Sequence, residues 1–203
     1  MSSVSANDSG HDIAATISRA FFHDPLFAYF FPNAQNREYR ARLTFRFLVD
    51  HCRARQGVIH TVGAPLAGAS VWLPSTQLHR SNADLIRFGA LKMLFQQGPA
   101  AIWRQLQAGE QMQQIHPRLM AQPHLYLLLL GGEPTEQGKG LSRNLLQPML
   151  DRLDRENMPC YLDTHNPNNI SLYQRFGFQV AHEGLLPDTQ VYHWAMVRSP
   201  VRS

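Results

Sequence analysis

Residues 123–130, Pro-His-Leu-Tyr-Leu-Leu-Leu-Leu, run without a charge into a glycine-bearing segment at 131–139, and from there into a helical stripe of Leu141, Leu145, Leu146, Met149, Leu150 and Leu153. A continuous apolar run of this length is the pattern of a central strand covered on both faces. The segment at 131–139 is then the loop at the strand's end. A helix from Gly140 to near Asn157 follows it, with Pro148 expected to bend it. Downstream, the pattern predicts strands at 160–164, 178–182 and 191–197 and a short helix at 168–176. The order strand, glycine loop, helix, strand, short helix, strand, strand predicts an α/β layered fold with a mixed sheet.

The first half is less regular. Ile13, Ile17, Ala20 and Phe21 stand at helical spacing, and Asp24-Pro25 ends that segment. An aromatic stretch at 27–31 and the breaker Pro32-Asn33 precede a second helix at 36–55. That helix is expected to bury Leu43, Phe47, Leu48 and Cys52 and to turn Arg37, Arg40, Arg42 and Arg46 to solvent. Residues 58–62 and 69–73 read as a hairpin connected through Gly63-Ala64-Pro65. A helical pair at about 82–115 follows, capped by Ser81 or Asn82 and divided at Gly98-Pro99. Its first helix carries Leu85, Ile86, Leu91, Leu94 and Phe95, and its second Ile102, Trp103, Leu106 and Met112. It is expected to cover one edge of the sheet.

At 203 residues, with 44% hydrophobic and 17% charged residues, the chain is long and apolar enough to bury a core without disulfides or metal. The net charge of +4 is spread along the chain with no basic run, so nucleic acid is not an expected partner. The longest apolar run falls far below the ~20 residues of a membrane span, and residues 1–10 lack the apolar core of a signal peptide. The two cysteines, Cys52 and Cys160, form no CxxC and fit a reducing compartment, so a cytoplasmic protein acting as monomer or homodimer is expected. None of the ten histidines pair at i, i+2 or i, i+4, and no metal is expected.

The loop between the central strand and the helix is built to hold phosphate. Glycines let backbone N–H groups converge, and a helix N-terminus adds about half a positive charge. A Walker loop fails, because Gly132 and Gly138 enclose five residues and Gly140 follows Lys139; a dinucleotide GxGxxG fails, because Arg143 occupies its third glycine position. What remains, Gln137-Gly138-Lys139-Gly140-Leu141-Ser142, resembles the Q/R-x-x-G-x-G/A signature of the GNAT superfamily of N-acetyltransferases. Ser142 stands in place of its last Gly or Ala. Gly131-Gly132 replace its usual Gly-Val. Further along, Tyr161-Leu162-Asp163-Thr164 and the segment 168–178 resemble the family's later motifs, and 193–198 resembles its last strand. Together with Asp24-Pro25-Leu26-Phe27 and residues 69–74, the block at 123–198 is similar to the puromycin N-acetyltransferase-like bacterial subgroup.

The resemblance implies a central mixed, mostly antiparallel β-sheet flanked by helices, with the pair at 82–115 as an extra, in one domain over 1–203. Residues 11–115 would be the acceptor side and 123–198 the acetyl-CoA-binding half. It implies acetyl transfer from acetyl-CoA to a primary amine of a small molecule, directly in a ternary complex. Such chemistry needs a neutral amine, a donor for the charge that develops on the carbonyl oxygen, and a proton for the departing thiolate. Tyr173 is the candidate acid, or a core tyrosine. Asn169 is the candidate partner of the pantetheine arm, or a helix cap. The backbone of Leu128, Leu129 and Leu130 is expected to pair with that arm like an added strand. Gln137, Gly138, Lys139, Gly140, Leu141 and Ser142 are expected at the pyrophosphate. For the base, Glu133, Asp163 and His165 remain open, with Glu133 nearest the loop. Phe27, Tyr29, Phe30 and Trp72 are expected to line an apolar or aromatic acceptor site. Two alternatives stand beside this reading: a protein or peptide amine as acceptor, and a non-catalytic acyl-CoA-binding or sensing module.

Overall fold

The computed structural model describes residues 10–78 and 90–201. Six strands of these residues pair into one sheet: β1 (Val58–Val62), β2 (Gly68–Pro74), β3 (Leu125–Gly132), β4 (Cys160–Thr164), β5 (Gln179–Leu185) and β6 (Tyr192–Arg198). Their order is β1-β2-β3-β4-β6-β5. Only β3 and β4 run parallel, and the other neighbours are antiparallel. The sheet is therefore mixed and mostly antiparallel, as expected.

Helices cover both faces. On one lie α1 (Gly10–Ala20), α2 (Pro25–Phe30), α3 (Ala34–Ala54), α4 (Ala90–Gln97) and α5 (Pro99–Leu119); on the other lie α6 (Leu141–Arg155) and α7 (Ile170–Gln174). The first face buries Ile13, Ile17, Phe27, Phe45 and Ala108 against Val71 and Leu129. The second buries Leu146, Met149, Leu150 and Leu153 against Trp72, Leu127, Leu162 and Met196.

Several expectations are corrected. The aromatic stretch after Asp24 is a helix, because Asp24 Oδ1 accepts from the N–H groups of Leu26 (2.9 Å) and Phe27 (3.3 Å) and Pro25 sits in the first turn. In α3 the buried stripe runs through Ala41, Phe45, Val49 and Cys52, and Leu43 and Leu48 are only half-buried. Arg37 is not a solvated charge. It donates to the carbonyls of Phe31 (2.8 Å), Phe22 (3.1 Å) and Pro32 (3.1 Å), taking up acceptors around the end of α2.

The helical pair reaches from α3 to the loop between β5 and β6, where Gln111 Nε2 donates to the Pro187 carbonyl at 3.0 Å. Its contact face is made of small residues, Ala101 and Ala108. Trp103 and Leu106, expected to face inward, are each 62% exposed. Gln97 pins the pair to α3, donating to the Arg40 carbonyl (2.8 Å) and Thr44 Oγ1 (2.9 Å). The expected cap at Ser81 or Asn82, with Leu85 and Ile86, lies outside the described residues.

β3 runs two residues beyond the apolar run, since Gly131 and Gly132 pair with Ala69 and Gly68 instead of opening the loop. Its burial alternates between buried and half-buried. The strand is thus not fully covered on both faces.

The chain end is locked by Arg198, whose Nη1 and Nη2 meet Asp154 Oδ1 and Oδ2 at 2.7 Å each while Nε donates to the Phe176 carbonyl at 2.9 Å. Arg198 is buried but the Asp154 side chain keeps 23% of its surface, so water compensates part of a broken pair. Arg198→Ala is therefore expected to lower unfolding free energy by about 2 kcal/mol, below the range for a fully buried pair, measured by urea denaturation. The guanidinium holds the Asp154 carboxyl below its ordinary range. The pair's contribution is then complete above the unfolded-chain value of about 3.9 and is lost as pH falls further.

Candidate active site

The site begins where the sheet forks. The β3–β4 register holds Leu125 against Cys160 and Tyr126 against Tyr161 and then stops, although β3 continues to Gly132 and β4 to Thr164. Past the fork, among the described residues, β3 has a neighbour strand only in β2. There the register steps from Trp72↔Leu127 to Val71↔Leu129, so Leu128 is an extra residue in β3. This bulge turns the later residues over. Gly131 faces Ile17 and Ala20 of α1, and Gly132 faces Leu141 of α6. The β4-side edge of Leu128, Leu129 and Leu130 is thereby left to pair with an extended ligand.

After β3 the chain makes one tight turn at Pro134–Glu136 and passes through Gly138 (φ 80°) and Gly140 (φ 81°) into α6. Gly140 takes the cap position of α6 in the left-handed conformation, with no side chain capping the helix. Among the described residues no acceptor takes the backbone N–H of Gly138, Gly140, Leu141 or Ser142. A cleft of about 1040 Å³ opens beside them, lined by Leu130, Gln137 and this loop on one side and by Asn169 and Tyr173 on the other. Arg19, Arg143 and Arg175 also line it, and Asp24 is its one carboxylate. Unfilled amides, a helix N-terminus and arginines around a roomy cleft suit an anionic ligand.

Tyr173 is buried on α7, its ring edge-on to Phe178 at 5.8 Å. Burial, with the Asp24 and Cys160 charges adding to it, pushes its phenol up from the ordinary value. Asn169 ends the tight turn Pro167–Asn169 ahead of α7, and its Nδ2 donates to Thr164 Oγ1 at 3.3 Å. Glu133 is occupied. It accepts from Thr16 Oγ1 (2.9 Å), from Arg19 Nε (2.9 Å) and from Arg19 Nη2, and the Arg19 hydrogen bonds hold its carboxyl below the usual range. Lys139 pairs with Glu136 at 3.0 Å, away from the cleft.

The aromatic residues expected at the acceptor separate from one another. Trp72 is fully enclosed in the α6-side core, its Nε1 donating to Ser70 Oγ at 2.9 Å, and presents no surface to a ligand. Phe27 and Phe30 are buried, Phe27 stacked on Phe45 at 4.5 Å. Of the four, Tyr29 keeps an open flank, under the Arg104 guanidinium at 5.8 Å.

Sequence reasoning missed Arg143, Arg175, Asn166 and Asn168 in the cleft lining. Arg143 carried a signal, a cation in the first turn of an anion-binding helix; Arg175 is brought in only by the tertiary fold. Asp24 lines the cleft as well. Burial pushes its carboxyl up to about 6, and its place before Pro25 was the available clue.

A family model described as Acetyltransferase (GNAT) family matches residues 85–178. An uncharacterised N-acetyltransferase of Schizosaccharomyces pombe is 26% identical over 171 residues, covering 81% of this chain and 68% of its own. Over that stretch the chain is similar to the GNAT acetyltransferases. The chain shares its fold with a Corynebacterium glutamicum protein described as histone acetyltransferase HPA2 and related acetyltransferase (TM-score 0.65, 21% identity, 96% of this chain and 92% of that one). Arylalkylamine N-acetyltransferase 2 of Aedes aegypti also superposes (TM-score 0.57, 13% identity, 94% of each chain). The glycine loop, with its amides unfilled, and the forked strand, with its open edge, have the chemistry to receive a diphosphate and an extended amide-bearing arm. Among the described residues, no three His, Cys, Asp or Glu side chains are grouped to hold a metal ion, and no helix is long and apolar enough to cross a membrane.

Proposed function

We propose that this protein is a GNAT-type N-acetyltransferase that takes the acetyl group from acetyl-CoA and passes it to a primary amine of a small molecule by direct transfer within a ternary complex. The observation that carries the choice of acceptor is the closure between α2 and α5. Arg104 Nη2 donates to the Phe30 carbonyl at 2.9 Å, and Phe27 and Phe30 share one core with Ala101 and Ala108, so no open groove for a polypeptide separates the described parts of these helices. Segments 24–27 and 69–74 favour the puromycin N-acetyltransferase-like subgroup, and the arylalkylamine enzyme sharing the fold favours an aromatic amine. Two unbridged, buried thiols favour a cytoplasmic protein. One sheet running through 58–74 and 125–198 favours a single domain in which 11–115 meets the acceptor and 123–198 the cofactor, as monomer or homodimer.

Bound acetyl-CoA supplies the acetyl group as an activated thioester. The N–H groups of Gly138, Gly140, Leu141 and Ser142 hold the pyrophosphate, with Gln137 beside them and Arg143 and Arg175 adding charge, while Lys139 stays with Glu136. The edge of Leu128 to Leu130 and Asn169 hold the pantetheine arm. An amide at the Leu128 bulge faces the carbonyl oxygen as negative charge develops on it. Tyr173 gives a proton to the departing sulfur. Glu133, engaged by Arg19 and Thr16, ties α1 to the loop and so positions it, which suits it poorly to be a base.

Thiol release from acetyl-CoA should appear with aromatic or apolar primary amines, amine antibiotics included, in a panel that also holds lysine peptides and protein N-termini. Turnover confined to the peptides would overturn the choice of acceptor. Tight acetyl-CoA binding with no turnover anywhere would favour the binding module.

A further inference from the structure

Beyond the fork, on the face that carries α5, lies a buried polar chain that the steps above do not use. Asp163 of β4 has a side chain only 6% exposed and accepts three hydrogen bonds: from Tyr126 of β3, from Tyr161 Oη at 2.7 Å and from His193 Nε2 of β6 at 2.8 Å. His193 is itself 1% exposed at its side chain. With Nε2–H given to the carboxylate, its lone pair sits on Nδ1, and that nitrogen is buried with no partner among the described residues. The neighbouring ring of His165, 5.3 Å away, likewise buries an unpartnered Nε2. Most buried side-chain nitrogens in folded proteins find a partner. With Nε2–H committed to the carboxylate, His193 acts on Asp163 as a hydrogen-bond donor and holds it in place beside Tyr126.

Of the two tyrosines paired at the fork, Tyr161 is fully buried and Tyr126 is the more open. It is half-buried, its ring lies next to the last paired position of β3 and β4, and its hydroxyl ends on Asp163. Several other titratable groups face the chain. His116 of α5 lies edge-on to Tyr126 and hydrogen-bonds His124 at 2.7 Å, and burial lowers both imidazoles below their ordinary value. His165 is lowered by burial to about 4, and burial raises the Tyr161 phenol. His182 of β5 lies with its ring 6.0 Å from that of His193. Asp163 is the one carboxylate in the group, and its hydrogen bonds keep it ionised.

We propose that Tyr126, Asp163 and His193 form the device by which the acceptor ammonium loses its proton, with Tyr126 Oη in contact with the amine, Asp163 taking the proton behind it and His193 positioning Asp163. An N–H bond of the ammonium breaks toward Tyr126 Oη as the Tyr126 O–H bond breaks toward Asp163, and the proton rests on the Asp163 carboxylate until it returns to solvent by the same path. The neutral amine then forms its bond to carbon as the carbon–sulfur bond breaks. The N–H proton released in that step balances the one that Tyr173 gives to sulfur. The inference rests on the function proposed above.

The test uses the full chain with acetyl-CoA and two acceptors, a phenethylamine that is cationic at pH 7.5 and an aniline that is neutral there. In Tyr126→Phe and Asp163→Asn, kcat/KM for the alkylamine should fall about 100-fold and its rise with pH should move to the amine's own pKa. The arylamine should change less than about threefold, with the calorimetric affinity for acetyl-CoA unchanged. Equal losses for both acceptors, or none, would overturn the path. A second reading needs no turnover: nitrogen NMR of the histidine rings should find His193 at pH 8 protonated on Nε2 and bare on Nδ1, and the reverse tautomer also overturns it. A wild-type chain that acetylates neither amine is a failure of the proposed acceptor class, and the tautomer then decides the path alone.

Discussion

Replacing Gly140 by valine should weaken acetyl-CoA binding by at least about 100-fold while leaving the chain folded, and Gly138→Val should do the same. The reason is conformational. A Cβ built at either glycine meets nothing within 4 Å, so no clash forces the loop apart. Both residues have φ near +80°, however, where a β-branched residue costs about 1–2 kcal/mol. The cheapest relief is for the loop to relax out of that conformation, which turns the N–H groups of 138–142 away from their common focus. Hydrogen bonds from those groups to a charged phosphate are each worth about 1.5–3 kcal/mol, so losing even two exceeds the strain that caused it. Because the loop is outside both cores, the melting temperature should drop by no more than about 2–4 °C per kcal/mol of strain retained. Titration calorimetry with CoA reads the first effect and thermal unfolding the second. Wild-type affinity in both variants would remove the loop from the cofactor site.

The parts of this site that could be read in advance are those written locally in the chain. The glycine loop shows itself because positive φ demands glycine, and α6 because Leu145, Leu146, Met149, Leu150 and Leu153 fall on one stripe that is in fact buried. Tyr173 and Asn169 line the cleft because a short motif carries them to the end of β4. The failures share a different cause. Trp72 was expected at a cleft, but whether an aromatic residue on a strand faces a ligand or a helix depends on what packs opposite, and α6 packs there. Trp103 and Leu106 follow a helical period that the structure does not use, since close approach of α5 needs Ala101 and Ala108. Glu133 looked available because its partner, Arg19, lies 114 positions away in sequence. Likewise, the Asp163 cluster draws on β3, β4, β6 and α5, and no spacing rule joins Tyr126, Asp163 and His193.

Tyr173→Phe should lower kcat by about 100-fold, near 2.7 kcal/mol of barrier, with acetyl-CoA affinity almost unchanged. The substitution keeps the ring that packs on Phe178 and removes only a hydroxyl for which the described residues provide no hydrogen-bond partner, so the core and the cleft wall should survive it. What is lost is a proton donor near the expected position of the sulfur. Burial and the Asp24 carboxylate both disfavour the phenolate, so the donor form persists above the pH at which an ordinary tyrosine, near 10, would ionise. The wild-type rate with an acceptor already neutral should therefore not fall between about pH 8 and 10, where a tyrosine of ordinary acidity would begin to lose its proton. A thiolate can also take its proton from water, so Tyr173→Phe should retain residual turnover that is less dependent on the buried phenol. Steady-state kinetics across this pH range separates the cases. An unchanged kcat would return Tyr173 to a packing role, and a loss of affinity equal to the loss of turnover would make it a wall of the cofactor cleft.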